Sequence, residues 1–241
     1  MTIKRTLLCI AMEAEAKPLI EKLKLTGDTS FFPPNTPFVC HRSEAVTVVC
    51  AGKDSATSVD NVGTVPASLM TYLALQRDEF DLVINAGTCG GFKSMGATIG
   101  GVFITTASAN HDRRIEIPGT QFKEYGIGAI DSIATPNLTK LLKAKNGVCT
   151  TGNSLDHCKE DDEIMANNNA SCKDMEAAAI ASICKMCDVP HFGVKVVTDI
   201  VDGDRPPFEE FMENLGSAAQ SLQATLPAVL DFVQGKTIEE L

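Results

Sequence analysis

The sequence has no tryptophan and two tyrosines in 241 residues, so eleven phenylalanines supply almost all of its aromatic surface. Its core must therefore be filled mainly by Val, Ile, Leu, Ala and Cys. Positive charge is also scarce: 21 Lys and Arg stand against 31 Asp and Glu, a net charge of −10. Affinity for nucleic acid rests on cationic contacts to phosphate, so this balance excludes a nucleic-acid binder. It equally disfavours an anionic membrane surface as a partner. No apolar run approaches the roughly 18 residues that a membrane helix needs. The apolar segment 7–12 is too brief for a secretory signal, and Glu13 and Glu15 follow it at once. The expected location is the cytoplasm.

Hydrophobic residues make up 44%, which is ordinary for a folded domain and too many for a disordered chain. There is no internal repeat, low-complexity tract or linker, and one domain over residues 1–241 is the simplest organisation. Nine cysteines are an odd number in an intracellular chain, and read as reduced thiols packed like small hydrophobes. The one CxxC, Cys184 to Cys187, has no second pair to complete a zinc site. It also continues an apolar stripe from Ile180 and Ile183 at helical spacing, so no metal is expected.

Short apolar runs alternate with helical patterns. Strands are expected at 6–11, 38–42, 46–50, 81–86, 101–107, 147–151 and 192–198. The glycines from Gly87 to Gly91 are expected to break the strand before them. Helices are expected at 13–25, at 175–187, and from Phe208 to Val233 with a kink near Pro227. A further helix runs toward Leu75, with Asp54 as its cap and Pro66 bending it or delaying its start. Such alternation predicts an α/β layer architecture with a largely parallel sheet.

Ligands of open α/β sheets bind outside the C-terminal ends of the strands. Those positions hold Glu13 and Glu15, then Thr88 in the glycine run, then 152–156, then Asp174, Met175 and Glu176, then Thr198 and Asp199. Carboxylates converge on one rim. Taken singly, each is equally at home as a helix cap or a favourable charge at a helix N-terminus. That reading suits Glu13 best, with Lys17 four residues on as a pairing partner. The glycine run is neither GxGxxG nor a P-loop, since no Gly-Lys-Ser/Thr follows it.

Five motifs together are more specific. AMEAE (11–15), NAGTCGGF (85–92), TGNSLD (151–156), KDMEAAA (173–179) and VVTDIVDGD (196–204) resemble the 5'-methylthioadenosine nucleosidases, in order and at consistent spacing. These form a plant-like branch of the nucleoside phosphorylase superfamily. HDRRIEIP (111–118) and VDNVGTVPAS (59–68) fit the same branch, and the resemblance covers essentially the whole chain. It implies a three-layer αβα sandwich with a central mixed, mostly parallel twisted sheet. It also implies hydrolysis of an N-ribosidic bond, giving adenine and a 5-thioribose, with no cofactor.

By the same resemblance, Asp199 is the general acid to adenine N7 and Glu15 activates the attacking water. Glu176 holds the ribose hydroxyls, with Met175 beside the sugar and Thr88 near the water. Lys195 stands where many bacterial members carry Arg, placed to hold Glu176 or the water. Leu155 replaces an aromatic that stacks on adenine, and the backbone at Leu155 and Asp156 reads the base edge. Thr198 adjoins the acid, while Met12 and Phe208 line the pocket for the alkylthio tail. Asn153 stands where the family usually has Asp. Members are homodimers whose loop around His111 reaches the neighbouring subunit's 5' pocket. Phosphorylases of the superfamily need cations for phosphate, but this chain has Asn85 before the glycine motif and acidic AMEAE after the first strand. That favours hydrolysis over phosphorolysis, and the retained carboxylates argue against a non-catalytic nucleoside-binding or storage protein.

Overall fold

In the computed structural model, which describes residues 2–241, the sheet starts with β1 (Thr6–Ile10). All five residues are buried. Leu8 and Ile10 pack into one hydrophobic cluster, and Leu7 and Cys9 into another. This is the two-residue period of a strand covered on both faces. Helix α1 (Glu13–Leu23) follows, then β2 (Thr26–Gly27), β3 (Val39–Arg42) and β4 (Val46–Cys50). Next come α2 (Thr64–Arg77), β5 (Leu82–Gly91), β6 (Val102–Asn110), α3 (Phe122–Ile127) and β7 (Ile130–Asp131). The chain continues through α4 (Pro136–Leu142), β8 (Lys145–Thr151), α5 (Lys159–Asn167) and β9 (Ala170–Asp174). It ends with α6 (Ala177–Met186), β10 (His191–Ile200) and α7 (Pro207–Val233).

Leu19 of α1 and Leu222, Leu226 and Val229 of α7 join the cluster of Leu8 and Ile10. Met70 and Ala74 of α2 and Ile180 and Cys184 of α6 join that of Leu7 and Cys9. Helices thus cover both faces, giving three layers. Parallel ladders join β1 to β4 and β5, β5 to β10, and β8 to β6 and β9. Antiparallel ladders join β10 to β6, β5 to β9, and β3 to β4. The sheet is mixed and mostly parallel, as expected, since most of its paired residues lie in the parallel ladders. Because β5 pairs with both β10 and β9, the strands β5, β10, β6, β8 and β9 close into a ring. Motif spacing carries no signal for that closure, since it depends on which distant edges meet.

Several local expectations change. The glycine run does not end its strand, and β5 continues through Gly91. Asp54 caps no helix: its carboxylate accepts from the N–H groups of Ala56 and Thr57 in a tight turn. Helix α2 starts later, at Thr64, with Pro66 in its first turn, where backbone N–H groups have no helical partner and proline is tolerated. The long C-terminal helix is as expected, with α7 continuing from Pro207 past Pro227 to Val233. Helix α5 was not expected from the sequence, because its acidic first turn, Glu160 to Asp162, hides a weak apolar pattern. Seven cysteines are buried, Cys158 is exposed, and all nine are free thiols. No helix among the described residues is long and apolar enough to cross a membrane, and no group of side chains there could hold a metal ion.

Candidate active site

A cavity of about 310 Å³ opens where β1, β5, β9 and β10 end. That volume is at the small end of ligand pockets. Its wall contains Met12, Glu15, Thr88, Leu155, Met175, Glu176, Lys195, Thr198 and Asp199, all expected from the sequence. Two expected residues are not on that wall. Asp156 is exposed on the loop beyond Leu155, and Phe208 is 57% exposed at the start of α7. Phe211, almost one turn further along α7, lines the cavity instead.

Glu15 sits in the first turn of α1 and is 3% exposed. The N–H and the hydroxyl of Thr88 both donate to its Oε1, each at 2.7 Å. Oε2 has only a long contact of 3.4 Å from the Met12 N–H. Burial raises the Glu15 carboxyl, against the Thr88 donors and the charge of Lys195. Glu13 turns away to the surface, where its oxygen lies 3.4 Å from Lys53 Nζ rather than near Lys17.

Glu176 follows β9 and immediately precedes α6. Its Oε1 accepts from the Gly63 N–H at 2.7 Å, across 113 residues of sequence. Burial, with the neighbouring Asp174 charge, pushes its carboxyl up to about 7. Lys195 does not bond Glu176 directly. Its Nζ lies 2.7 Å from Asp174 Oδ2, with both side chains at most 2% exposed. Asp174 also accepts from the Thr151 hydroxyl at 2.6 Å and the Ala177 N–H at 2.9 Å. Burial works against both charges of this pair. Their mutual attraction wins, holding Asp174 below the usual carboxylate range and Lys195 above its ordinary value.

Asp199 ends β10, 5% exposed, with the Thr198 hydroxyl 2.8 Å from its Oδ1. Burial raises its carboxyl, with the Glu210 charge adding to the rise and Thr198 and Lys173 opposing it. The glycine run now has a physical reason. A Cβ at Gly90 would lie 2.7 Å from Asp199 Oδ2 and from Val201 Cγ2, so only glycine leaves room for the carboxyl. A Cβ at Gly87 would touch both Glu15 oxygens at 3.4 Å. These glycines make room for two carboxyls.

Three polar residues on the wall have no site role expected from the sequence, although Asp174 is expected on the rim and Asn85 before the glycine run. Lys173 donates to the carbonyls of Ser154 and Leu155, at 2.9 and 2.7 Å, pinning that loop over the cavity. Asp174 holds Lys195. Asn85 donates to the Cys9 carbonyl at 3.3 Å, and its buried Oδ1 has no partner among the described residues. The signal for the first two lies in β9 itself, ASCKD, where adjacent opposite charges occupy a strand buried at every position.

Asn153 acts outside the cavity. Its Oδ1 accepts from both the N–H and the hydroxyl of Thr64, capping α2 beside Gly63. Its own N–H donates to Asp112 Oδ2 at 2.6 Å, and its amide nitrogen lies 3.4 Å from the same oxygen. A carboxylate at 153 would face that of Asp112, so the amide suits this junction. The His111 ring is buried in its own protomer, 3.1 Å from Thr150 Oγ1. A Cβ at Gly152 would meet that ring at 2.2 Å. The exposed apolar groups of the loop come later, at Ile117, Phe122 and Tyr125.

Three carboxyls thus line a small cavity whose two cations are already engaged, Lys195 with Asp174 and Lys173 with two carbonyls. Residues 5–231 match the model of the Phosphorylase superfamily. The 5'-methylthioadenosine nucleosidase of Arabidopsis thaliana is 43% identical across 99% of this chain and 91% of that protein. The chain belongs to the phosphorylase superfamily, and within it to the methylthioadenosine nucleosidases. A second Arabidopsis relative, a 5'-methylthioadenosine/S-adenosylhomocysteine nucleosidase, is 43% identical over 96% of this chain and 92% of its own length. The solved apo structure of Arabidopsis 5'-methylthioadenosine nucleosidase superposes with a TM-score of 0.96, covering both chains completely at 42% identity. Like the family, the chain is an N-glycosidic hydrolase.

Proposed function

We propose that residues 1–241 form one nucleosidase domain that hydrolyses 5'-methylthioadenosine to adenine and 5-methylthioribose, with Asp199 as acid and Glu15 as base. The observation that carries this reading is a pair of buried carboxyls at one cavity, Glu15 bonded by Thr88 beside the Lys195 charge and Asp199 bonded by Thr198 between the Lys173 and Glu210 charges. Pairs of titratable groups held in different environments mark acid and base roles. Asp199 donates its proton to N7 as the C1'–N9 bond breaks, so adenine leaves neutral. A water adds to C1' and passes a proton to Glu15. Oε1 of Glu15 is filled by Thr88, which leaves Oε2 to receive it. The ribosyl centre passes through an oxocarbenium-like state, as in other glycoside hydrolyses. Glu176, tied to Gly63, accepts from the ribose hydroxyls. Lys195 keeps Glu15 and Glu176 closer to their ionised forms.

Phosphorolysis has little support, because Lys195 is neutralised by Asp174 and Lys173 is occupied by two carbonyls. The apolar groups Met12, Val62, Leu155 and Phe211 suit a methylthio tail better than the charged tail of S-adenosylhomocysteine. The test is adenine release in phosphate-free buffer. Both products are expected without phosphate, with slower turnover of S-adenosylhomocysteine at equal concentration. Turnover that appears only when phosphate is added, with a 1-phosphate sugar as product, would overturn the hydrolytic reading.

The proposed assembly is a homodimer in the cytoplasm, a compartment that keeps nine thiols reduced. Val65, Leu69 and Tyr72 make an exposed apolar stripe along α2, with Val62 just before the helix and Val65 76% exposed. Met186, on the helix packed beside α2, extends it. Exposed apolar patches of this kind mark association surfaces. Val65→Glu is expected to convert a sedimenting dimer to monomer. An unchanged sedimentation coefficient places the interface elsewhere.

A further inference from the structure

Strand β10 outruns its antiparallel neighbour. The ladder with β6 ends at Val102 opposite Val196, Val197 still exchanges backbone bonds with Gly100 and Gly101, and beyond Val197 β10 has no backbone partner on this side. Its register against β5 also slips by one residue between Val197 and Asp199. Bulges of this kind re-aim a side chain and leave backbone groups outside the ladder. Buried groups left so need other partners.

Both peptide units flanking Asp199 find them on α7. Asn214 Nδ2 donates to the Thr198 carbonyl at 2.9 Å and to the Glu210 carbonyl at 2.8 Å. Glu210 Oε2 accepts from the Ile200 N–H at 2.8 Å. Glu210 and Asn214 are four residues apart, hence on one helix face. The Glu210 side chain is only 13% exposed, and Arg205 lies 4.0 Å from its other oxygen.

We propose that Glu210 and Asn214 are positioning residues that clamp the peptide units on either side of Asp199 and so aim its carboxyl at the base. The proposal rests on Asp199 being the general acid. Reactive groups misplaced by about 1 Å lose on the order of 100-fold in rate. The turn of α7 that carries Glu210 also carries Phe211 into the cavity wall, so packing against substrate and aiming the acid are one event. The charged groups that face Asp199 are Lys173 from β9 and Glu210 from α7. The Glu210 charge therefore favours the protonated acid as well as holding its backbone.

Glu210→Ala, Glu210→Gln and Asn214→Ala test this. Helix α7 is anchored further along by Leu222, Leu226 and Val229, so melting temperatures are expected to stay near wild type. Glu210→Ala and Asn214→Ala should lower kcat by about 10- to 100-fold with KM nearly unchanged. Gln keeps an acceptor oxygen for the Ile200 N–H but has no charge. Glu210→Gln should therefore keep more kcat than Glu210→Ala, with the basic limb of its pH profile moved to lower pH. An activity-independent measurement is the titration of the Asp199 carboxyl by NMR in protein labelled with carbon-13 aspartate, assigned by its loss in Asp199→Asn. Its midpoint should fall in both Glu210 variants. Wild-type kcat, pH profile and Asp199 titration in all three variants would overturn the clamp, as would losses of kcat that only track losses of melting temperature. A wild-type protein that releases no adenine would refute the proposed function, while the NMR titration would still decide the clamp.

Discussion

Asp199→Asn is expected to lower adenine release by about 100- to 10,000-fold, the range contributed by a positioned general acid. The amide keeps the shape of the carboxyl and its contact with Thr198 but has no proton to give to N7. Substrate binding should survive, so the loss should fall on kcat rather than KM. In wild type the acid must be protonated. A free Asp, with a pKa near about 3.9, would be ionised at neutral pH. Burial raises Asp199, with help from Glu210. Activity should therefore fall as pH rises through the elevated Asp199 pKa, and that limb should be missing in Asp199→Asn. Steady-state adenine release across a pH series checks both points. A variant within about threefold of wild type would remove Asp199 from the acid role, given the magnitude a general acid supplies.

Lys195→Met should have the second-largest effect, on stability and activity together. Met matches the length of the aliphatic stem, so packing is nearly kept. What is lost is the 2.7 Å partner of Asp174, in a place where the side chains are at most 2% exposed. Breaking a buried pair from one side costs about 3–5 kcal/mol, because the remaining charge is left uncompensated. Urea unfolding should show that loss. Adding Asp174→Asn should recover part of it, since the amide removes the stranded charge while its single oxygen still accepts from one of the two donors, Thr151 or Ala177. Stability of Lys195→Met should improve toward acid pH relative to wild type. Without Lys195, burial raises the Asp174 carboxyl, and protonation relieves the penalty. Glu15 also loses a charge that favours its ionised form, so the acidic limb of the activity profile should move to higher pH. A cost below about 1 kcal/mol, the level of an exposed pair, would show that the charges are solvated.

Much of this site is legible in the sequence. Glu15, Thr88, Met175, Glu176, Lys195, Thr198 and Asp199 all follow strands or lie near their ends, and strand ends of an α/β sheet share one rim. Apolar runs mark those strands because buried strands need apolar residues on both faces. Phe211 rather than Phe208 lines the cavity in this chain, because helical periodicity shows that a face is apolar, not which turn of it meets a cavity. The side chain of Asp156 is exposed, and the role expected there falls to its backbone, which no periodicity in a loop can place. Lys173 escapes notice, and Asp174 is placed on the rim without a role, because charges in a strand usually mark its exposed edge. Here they are buried, and each finds its partner through pairings between distant segments.

By itself, the sequence determined the chemistry available to this protein. Its acidic balance excluded phosphate-rich partners, its motifs supplied the three carboxyls, and its alternating strands and helices set the layered fold. Those properties follow from residue type and local period. Only the tertiary structure decided how the carboxyls differ. Lys195 is committed to Asp174, Thr88 holds Glu15, Gly63 holds Glu176, and α7 holds the backbone around Asp199. It also decided that Gly90 must be glycine, because the Asp199 carboxyl, from a strand far along the chain, occupies the space a side chain would need. The physical reason is the same in each case. Burial and hydrogen bonding set protonation, and both depend on which distant segments come within about 3 Å of one another.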